Sequence, residues 1–220
     1  MIGAFSKFTI NDLWTLIRSA GTTLWVTLIS ITIGTIIGTA LGLVLSGKNR
    51  FWNKIPNILI QPLRNSPLIT QIFLVYFGIP TISRFTPSAV ACAIVALSLN
   101  TAAFFAVILN TSIRAIPAAQ WEAGMALGHS KMQTFVRIIA PQAIRLLIPQ
   151  AILLYIGQLQ CSSFIALISI RELTRTGETI AQRTFQPFLV WGIVFAIYFL
   201  ISFPISRFAR RLEKKVSYNN

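Results

Sequence analysis

Charged residues, and acidic ones above all, are scarce in this sequence. Only 11% of its 220 residues are charged and 55% are hydrophobic, whereas soluble globular domains carry about 25% charged residues. The mean hydropathy is +0.71. These values exclude an ordinary soluble domain and indicate an integral membrane protein.

The few residues that usually carry chemistry are dispersed. His129 is the one histidine, and Cys92 and Cys161 both lie in apolar segments, so we predict no disulfide and no metal site. No carboxylate pair or Ser/His constellation points to a hydrolase, and we expect no enzymatic activity. None of the acidic residues lies inside an apolar segment, which argues against an ion-coupled carrier; they are Asp12, Glu122, Glu172, Glu178 and Glu213.

The formal net charge of +14 comes from basic residues at the edges of the apolar segments. A nucleic-acid-binding protein instead gathers its Lys and Arg residues on one compact face. We therefore expect a lipid bilayer around this chain and no nucleic-acid partner.

Five apolar segments approach or exceed the roughly 20 residues that cross a bilayer. Pro62 and Pro67 interrupt the second, and residues 1–21 mix charged and apolar positions as an interfacial segment does. The sequence thus predicts an all-α polytopic membrane protein, with one transmembrane domain over residues 1–220. The predicted spans are residues 22–45, 55–79, 87–110, 146–168 and 188–208.

Glycines repeat every fourth residue in the first span, at Gly34, Gly38 and Gly42. This spacing makes one smooth helix face that another helix can approach closely.

A polar interruption at residues 118–141 separates the third and fourth spans. Pro117 favours a helix start at Ala118 and Gly128 favours its end, near Leu127. Ser130 and Gln133 have the spacing of a capping box, so a second helix is predicted to about Ile139. On physical grounds this loop is either an amphipathic segment on the membrane surface or a docking element.

Polar side chains also occur inside two spans. Asn100 and Thr101 lie in the third, and either join helices or line a solute path. The fourth has a polar centre, which either lines the path or makes interhelical hydrogen bonds; it includes Gln158, Gln160, Ser162 and Ser163.

The loop residues resemble the EAA loop of ABC-importer permeases, which docks on the ATPase subunit. The match consists of Glu122-Ala123-Gly124, Gly128 and Ile138-Ile139-Ala140-Pro141. Gly124 stands where alanine is expected, and Ala140 where leucine precedes the proline.

Three further stretches resemble permeases of the polar amino-acid uptake family, the histidine, glutamate, glutamine, arginine and opine group. They are Arg64-Asn65-Ser66-Pro67-Leu68 with the following Phe73–Gly78, then Leu99–Phe104, and finally Glu172–Gly177.

The resemblance implies one half of a type I ABC importer. Two permease chains, identical or siblings, would form the pathway, two ATPase subunits would dock on the loop at about residues 114–142, and an extracytoplasmic binding protein would deliver the solute. A near match to a nucleotide-binding loop at Gly47-Lys48-Asn49 lacks the Ser or Thr that binds magnesium. ATP and Mg²⁺ would therefore be held by the partner ATPase, and this chain would bind no cofactor.

Two departures bear on the solute. Val107 stands where many relatives carry glutamate, and Gln160-Cys161 where they carry Lys-Asp. An unpaired charge at mid-membrane costs at least about 2.5–3.5 kcal/mol. We therefore expect this chain to move a neutral polar amino acid, or to pair with a sibling permease that binds the solute.

The positive-inside rule gives an orientation. If the loop is cytoplasmic, 13 of the 19 Lys and Arg residues fall on that side. We expect a bacterial cytoplasmic-membrane protein with its N-terminus outside and its C-terminus in the cytoplasm. The alternative functions are an ATP-independent carrier or channel for a small polar solute, and a membrane scaffold.

Overall fold

The computed structural model describes residues 7–47, 53–83 and 85–217, and all regular elements in these ranges are helical. A π-helical turn (Phe135–Ile139) joins α6 to α7, and a 3₁₀ helix (Ser162–Ile168) follows α7. The α-helices are α1 (Ile10–Ser46), α2 (Lys54–Asn65), α3 (Leu68–Ser83), α4 (Ala89–Arg114), α5 (Ala118–Ala126), α6 (Lys131–Thr134), α7 (Ala140–Cys161), α8 (Leu173–Thr184) and α9 (Pro187–Ser217).

Among the described residues, four helical stretches are long and apolar enough to cross a membrane. Helices α2 and α3 qualify together as a fifth, although they are bent by 109° at the break between them. The predicted all-α, five-span architecture is therefore confirmed if this bent pair counts as one span. The four long stretches are Ile10–Ser46, Ala89–Arg114, Lys131–Ile168 and Pro187–Lys214.

Helix α1 begins earlier than predicted, and the expected separate N-terminal segment is not seen. The backbone N–H of Thr9 donates to Asp12 Oδ2 at 2.8 Å, which starts the helix, and the helix then continues without a break to Ser46. Gly21 does not interrupt it. Residues 1–6 of the expected interfacial segment lie outside the described residues.

The second predicted span is bent at Pro67 and not at Pro62. Pro62 lies inside α2, whereas Ser66 adopts an extended conformation with φ −117° and ψ 149°. A residue that precedes proline is pushed out of the helical region by the proline ring, which accounts for the bend at this position.

The predicted end of the loop's second helix at Ile139 is wrong. Helix α6, the π turn and α7 form one continuous stretch from Lys131 to Ile168. The backbone N–H of Ala140 bonds to the carbonyl of Phe135, five residues back, so the wider π turn directly precedes Pro141, which has no N–H to donate. The proline is thus accommodated without a break.

The three glycines of α1 face α4. A Cβ at Gly34 would lie 2.5 Å from Thr101 Cβ, and those at Gly38 and Gly42 would each lie 2.8 Å from a backbone carbonyl of α4. The contacts advance along both helices together, so α1 and α4 run parallel. The two backbones can approach this closely only because glycine has no Cβ.

Helix α7 runs antiparallel to α4. The Tyr155 ring stacks on Phe105 with 6.3 Å between centroids, and its hydroxyl lies 2.8 Å from Thr35 Oγ1 on α1. We call the end of the bundle that carries α5 and α6 the loop end, and the end that carries α8 the far end.

The far end is closed by α8 packed on α1 and α9. Its apolar core includes Leu16, Leu173 and Val190. An ion pair between Arg183 and Asp12 joins α8 to the first turn of α1. The start of α1, which the sequence suggested to be interfacial, is therefore held in the bundle.

Candidate functional site

The loop between α4 and α7 is folded as its local sequence predicts. Gly128 has a positive φ of +84° after the end of α5, which is the left-handed conformation that glycine adopts readily. Ser130 caps α6, with the Gln133 N–H at 3.2 Å from its Oγ and the Gln133 side chain accepting from the Ser130 N–H at 2.9 Å. The predicted glycine stop and capping box are confirmed.

Gly124 is the contact point between the two arms of the loop. A Cβ there would lie 2.6 Å from Thr134 Cγ2 and 2.9 Å from Ile138 Cδ1. Thr134 is fully buried and its hydroxyl donates to the carbonyl of Ser130 at 3.0 Å, so it has little freedom to move. The departure from alanine at this position thus has a steric cause.

The loop is also fixed to the membrane helices. The Trp121 and Phe135 rings stack with 6.1 Å between centroids, and Ile116 and Ile139 are buried in the cluster that joins the ends of α4 and α7. A displacement of the loop therefore displaces both helices.

The outer surface of the loop is apolar and has no partner in the chain as described. Leu127 is 77% exposed at the tip and Met132 is 69% exposed beside it, with Met125 and Val136 also exposed. Glu122 and Ala123 are exposed on α5, and Pro141 is exposed where α7 begins. An apolar patch of this kind marks a protein or membrane contact.

The polar residues of the third span bond within the chain. The Asn100 amide donates to Gln71 Oε1 at 3.2 Å, and Gln71 in turn donates to the carbonyls of Leu63 and Ser66 at the end of α2. Thr101 is fully buried and donates to the Leu97 carbonyl. This geometry matches the helix-joining alternative for Asn100.

The polar residues of the fourth span divide into two sets. Gln158 is buried and donates to the Leu97 carbonyl of α4 at 3.0 Å, and Ser162 is buried and donates to the Leu159 carbonyl. Gln160 and Ser163 instead face a groove between the end of α7 and helix α9. Of the four, only these two meet open space.

This groove has a volume of about 530 Å³ and runs along α9. Several residues with hydroxyl side chains line it, and a stack formed by Phe195, Phe199 and Phe203 borders it. Ser202 Oγ is buried and has no hydrogen-bond partner among the described residues. The polar lining consists of Gln160, Ser163, Thr174, Tyr198, Ser202 and Ser206, with Arg207 and Arg210 toward the loop end.

The two departures expected to bear on the solute lie on different sides of the chain. Val107 packs with the cluster formed by α1, α2 and α4, whereas Gln160 lines the α9 groove. Cys161 is half-buried and its thiol is free. Within one chain, charges at positions 107 and 160 would not face the same cavity.

Arg64 and Pro67 occupy the junction between α2 and α3. The Arg64 guanidinium lies over the Phe104 ring of α4, 5.5 Å from its centroid. Cation and ring attract one another in this arrangement, so Arg64 helps to hold the bent pair against α4.

Residues 30–218 match the model of one protein family, the binding-protein-dependent transport system inner membrane component. The chain belongs to this family. It is 32% identical over 213 residues to a probable amino-acid ABC transporter permease protein of Bacillus subtilis, an alignment that covers 97% of this chain and 94% of the relative. It is 28% identical over 202 residues to the glutamine transport system permease protein of Escherichia coli, covering 91% and 92%.

Solved structures of this permease family have the same fold. A crystal structure of an amino acid ABC transporter with histidines superposes with a TM-score of 0.87 at 26% identity, covering 94% of this permease and 96% of that chain. An inward-facing structure of a methionine ABC transporter gives a TM-score of 0.73 at 21% identity, covering 93% and 99%. Type I importer architecture, a multi-pass location in the inner membrane, and ATPase and binding-protein partners follow from this membership.

Gln71 and Glu172 are buried polar residues of this permease whose burial was not predicted. Gln71 joins α2, α3 and α4, and an isolated glutamine in an apolar segment was the available signal. Glu172, which lies outside the apolar segments of the sequence, is fully buried at the start of α8. Burial raises the pKa of its carboxyl, although hydrogen bonds to it act in the opposite direction. In the described ranges no three His, Cys, Asp or Glu side chains group as metal ligands.

Proposed function

We propose that this permease imports an uncharged polar amino acid as one half of an ABC transporter. The observation that carries the proposal is the loop of α5 and α6, which presents an exposed apolar surface while its inner side is packed on α4 and α7. A partner that binds Leu127 and Met132 can therefore move both α4 and α7. Burial of one such side chain is worth roughly 1.5–3 kcal/mol.

Docking would use the residues that resemble the EAA loop. Ala123 permits a close approach by the ATPase and Glu122 is free to pair with a basic residue there, while Gly124, Gly128 and Ile138 keep the two arms in place. ATP and Mg²⁺ would be held by the ATPase, and this chain would do no hydrolysis. ATP binding would draw the loops together and open the path outward.

The solute path would follow the groove between α7 and α9. Near the far end its lining includes an amide and hydroxyl side chains, with Gln160 and Ser163 on one wall and Tyr198 on the other. Relatives named for glutamine or amino-acid transport support an amino acid as solute. The neutral residues at positions 107, 160 and 161 favour an uncharged side chain, or delivery through a sibling permease.

For the orientation, we propose that the loop end is cytoplasmic. The end of α1, the α5–α6 loop and the end of α9 all lie at this end, so on this proposal the N-terminus is outside and the C-terminus is in the cytoplasm. The excess of basic residues on this side supports the assignment.

Native mass spectrometry of the tagged permease, gently extracted with its partners, tests the proposal. Two copies with two ATPase chains would support a homodimer, and one copy with a sibling would assign solute binding to the sibling. Absence of an ATPase under every extraction condition would contradict the importer.

A matched pair of variants tests the docking surface. Leu127→Asp should reduce ATPase retention roughly tenfold or more, since it removes an apolar contact worth at least about 1.4 kcal/mol. Gln182→Asp adds the same charge to the exposed surface of α8 at the far end and should leave retention unchanged. Equal retention in both variants would contradict the assigned surface.

A further inference from the structure

The side chain of Glu172 joins three helices at the far end. Its Oε1 accepts the backbone N–H of Arg175 at 2.7 Å. Its Oε2 lies 3.3 Å from the hydroxyl oxygens of both Thr23 on α1 and Tyr198 on α9. The residue is fully buried and caps α8.

No cation neutralises this carboxylate in the part of the chain that the structure describes. The guanidinium of Arg175 turns to Glu178, at 2.7 Å, and Arg183 pairs with Asp12. Stabilisation of Glu172 comes from hydrogen-bond donors and from the N-terminus of α8, where a negative charge is favoured. The polar groups around the carboxylate must therefore direct their protons toward it.

This constraint determines the direction in which the Tyr198 hydroxyl donates its proton. In its ionised form Glu172 only accepts hydrogen bonds, so the Tyr198 hydroxyl then donates its one proton to Glu172. Thr174 Oγ1 lies 3.2 Å from the Tyr198 oxygen. Since the Tyr198 proton is committed, Thr174 is the donor in this pair. Both residues line the groove, beside Gln160 and Ser163.

We propose that Glu172 is a positioning residue of the solute path, which makes the far-end wall of the groove a hydrogen-bond acceptor. With both hydroxyl protons committed inward, Tyr198 and Thr174 offer lone pairs to the groove. The wall then suits a donor, such as the ammonium group that every amino acid carries. This inference rests on the proposed function, because it takes the groove to be the solute path.

The polarity of the groove can be measured without knowing the solute. Ser163→Cys places a thiol in the groove, in a background with Cys92→Ala and Cys161→Ala, in the assembled transporter in membrane vesicles. The probes are a cationic and an anionic methanethiosulfonate of similar size, and the readout is the ratio of their reaction rates. Because Arg207 and Arg210 also line the groove and favour the anionic reagent, the proposal is tested by the change of this ratio from the parent value.

Glu172→Gln keeps the size of the side chain but lets its amide donate to Tyr198, which releases the Tyr198 proton toward the groove. The rate ratio should fall at least about threefold. Tyr198→Phe removes one acceptor and should lower the ratio by a smaller amount. Glu178→Gln, a change of the same kind in the exposed ion pair of α8, should leave the ratio at the parent value.

An unchanged ratio in Glu172→Gln would overturn the proposal. An equal rise of both rates would also overturn it, because it would show that Glu172 merely holds the corner closed. If the Ser163→Cys thiol reacted with neither reagent, the groove would hold no water and the proposed path would fail with it. A transporter that retains its ATPase in native mass spectrometry would still be an importer in each case.

Discussion

Replacement of Gly124 by alanine tests whether the two arms of the docking loop pack together closely because position 124 has no side chain. The new Cβ would lie 2.6 Å from Thr134 Cγ2 and 3.0 Å from Thr134 Oγ1. Overpacking of this kind costs about 1–3 kcal/mol. Alanine is intrinsically better than glycine in a helix by about 1 kcal/mol, so the expected net change is a loss of about 0–2 kcal/mol.

Gly192→Ala and Gly157→Ala are the matched controls. Both glycines are helical, and a Cβ at either would meet no other atom within 4 Å. These variants gain only the helix propensity and should be stabilised by about 0.5–1 kcal/mol. Gly124→Ala should therefore unfold at a lower temperature than either control, with the apparent melting temperature of the purified transporter as the readout.

A second substitution should rescue the first. Thr134→Ser removes the methyl group nearest to the new Cβ but keeps the hydroxyl that bonds to Ser130. Alone, it should cost about 1 kcal/mol for the lost methyl group. Combined with Gly124→Ala it should cost less than the sum of the two single changes. Additive losses, or a Gly124→Ala variant as stable as the controls, would refute the steric account.

Two further predictions concern the buried polar residues. The pKa of Glu172 is raised above its ordinary value of 4.5. Its contribution to the free energy of unfolding is therefore present below pH 4.5 and is lost as the pH rises through the raised pKa. The melting temperature of the parent, relative to that of Glu172→Gln, should fall over this pH interval, and a constant difference would contradict the shift. Asn100→Ala should lower stability by about 1–3 kcal/mol, because it removes the donor to buried Gln71 Oε1, with the KM for uptake of the transported amino acid unchanged. A raised KM at full stability would return Asn100 to the solute path.

Local signals in the sequence predicted local structure well. Gly128 and the Ser130–Gln133 pair act between neighbours in the chain, so the bend and the cap could be read directly. The glycine repeat of α1 likewise predicted a close helix contact, although not that α4 would make it. The approximate positions of the apolar segments also followed from composition alone.

The polar centre of α7 shows where such reasoning stops. Residues 158 and 162 share one helix face and residues 160 and 163 share another, which the helical period alone indicates. Which face meets α4 and which meets the groove depends on the packing of α9, a helix almost thirty residues further along the chain. The burial of Glu172 could not be predicted for the same reason, since its partners Thr23 and Tyr198 are distant in sequence.

The continuous helix from Lys131 to Ile168 makes the docking loop and the groove wall parts of one rod. Thirty residues separate Ser130 from Gln160, about 45 Å at 1.5 Å per residue. The π turn adds a residue to this rod, and each helical residue contributes about 100° of rotation. The angle around the helix axis between the exposed side of α6 and the groove-lining side of Gln160 is therefore set by a single residue within Phe135–Ile139. Deletion of Arg137, an exposed residue of this turn, would keep Phe135, Ile138 and Ile139 but turn the docking arm away from the proposed partner.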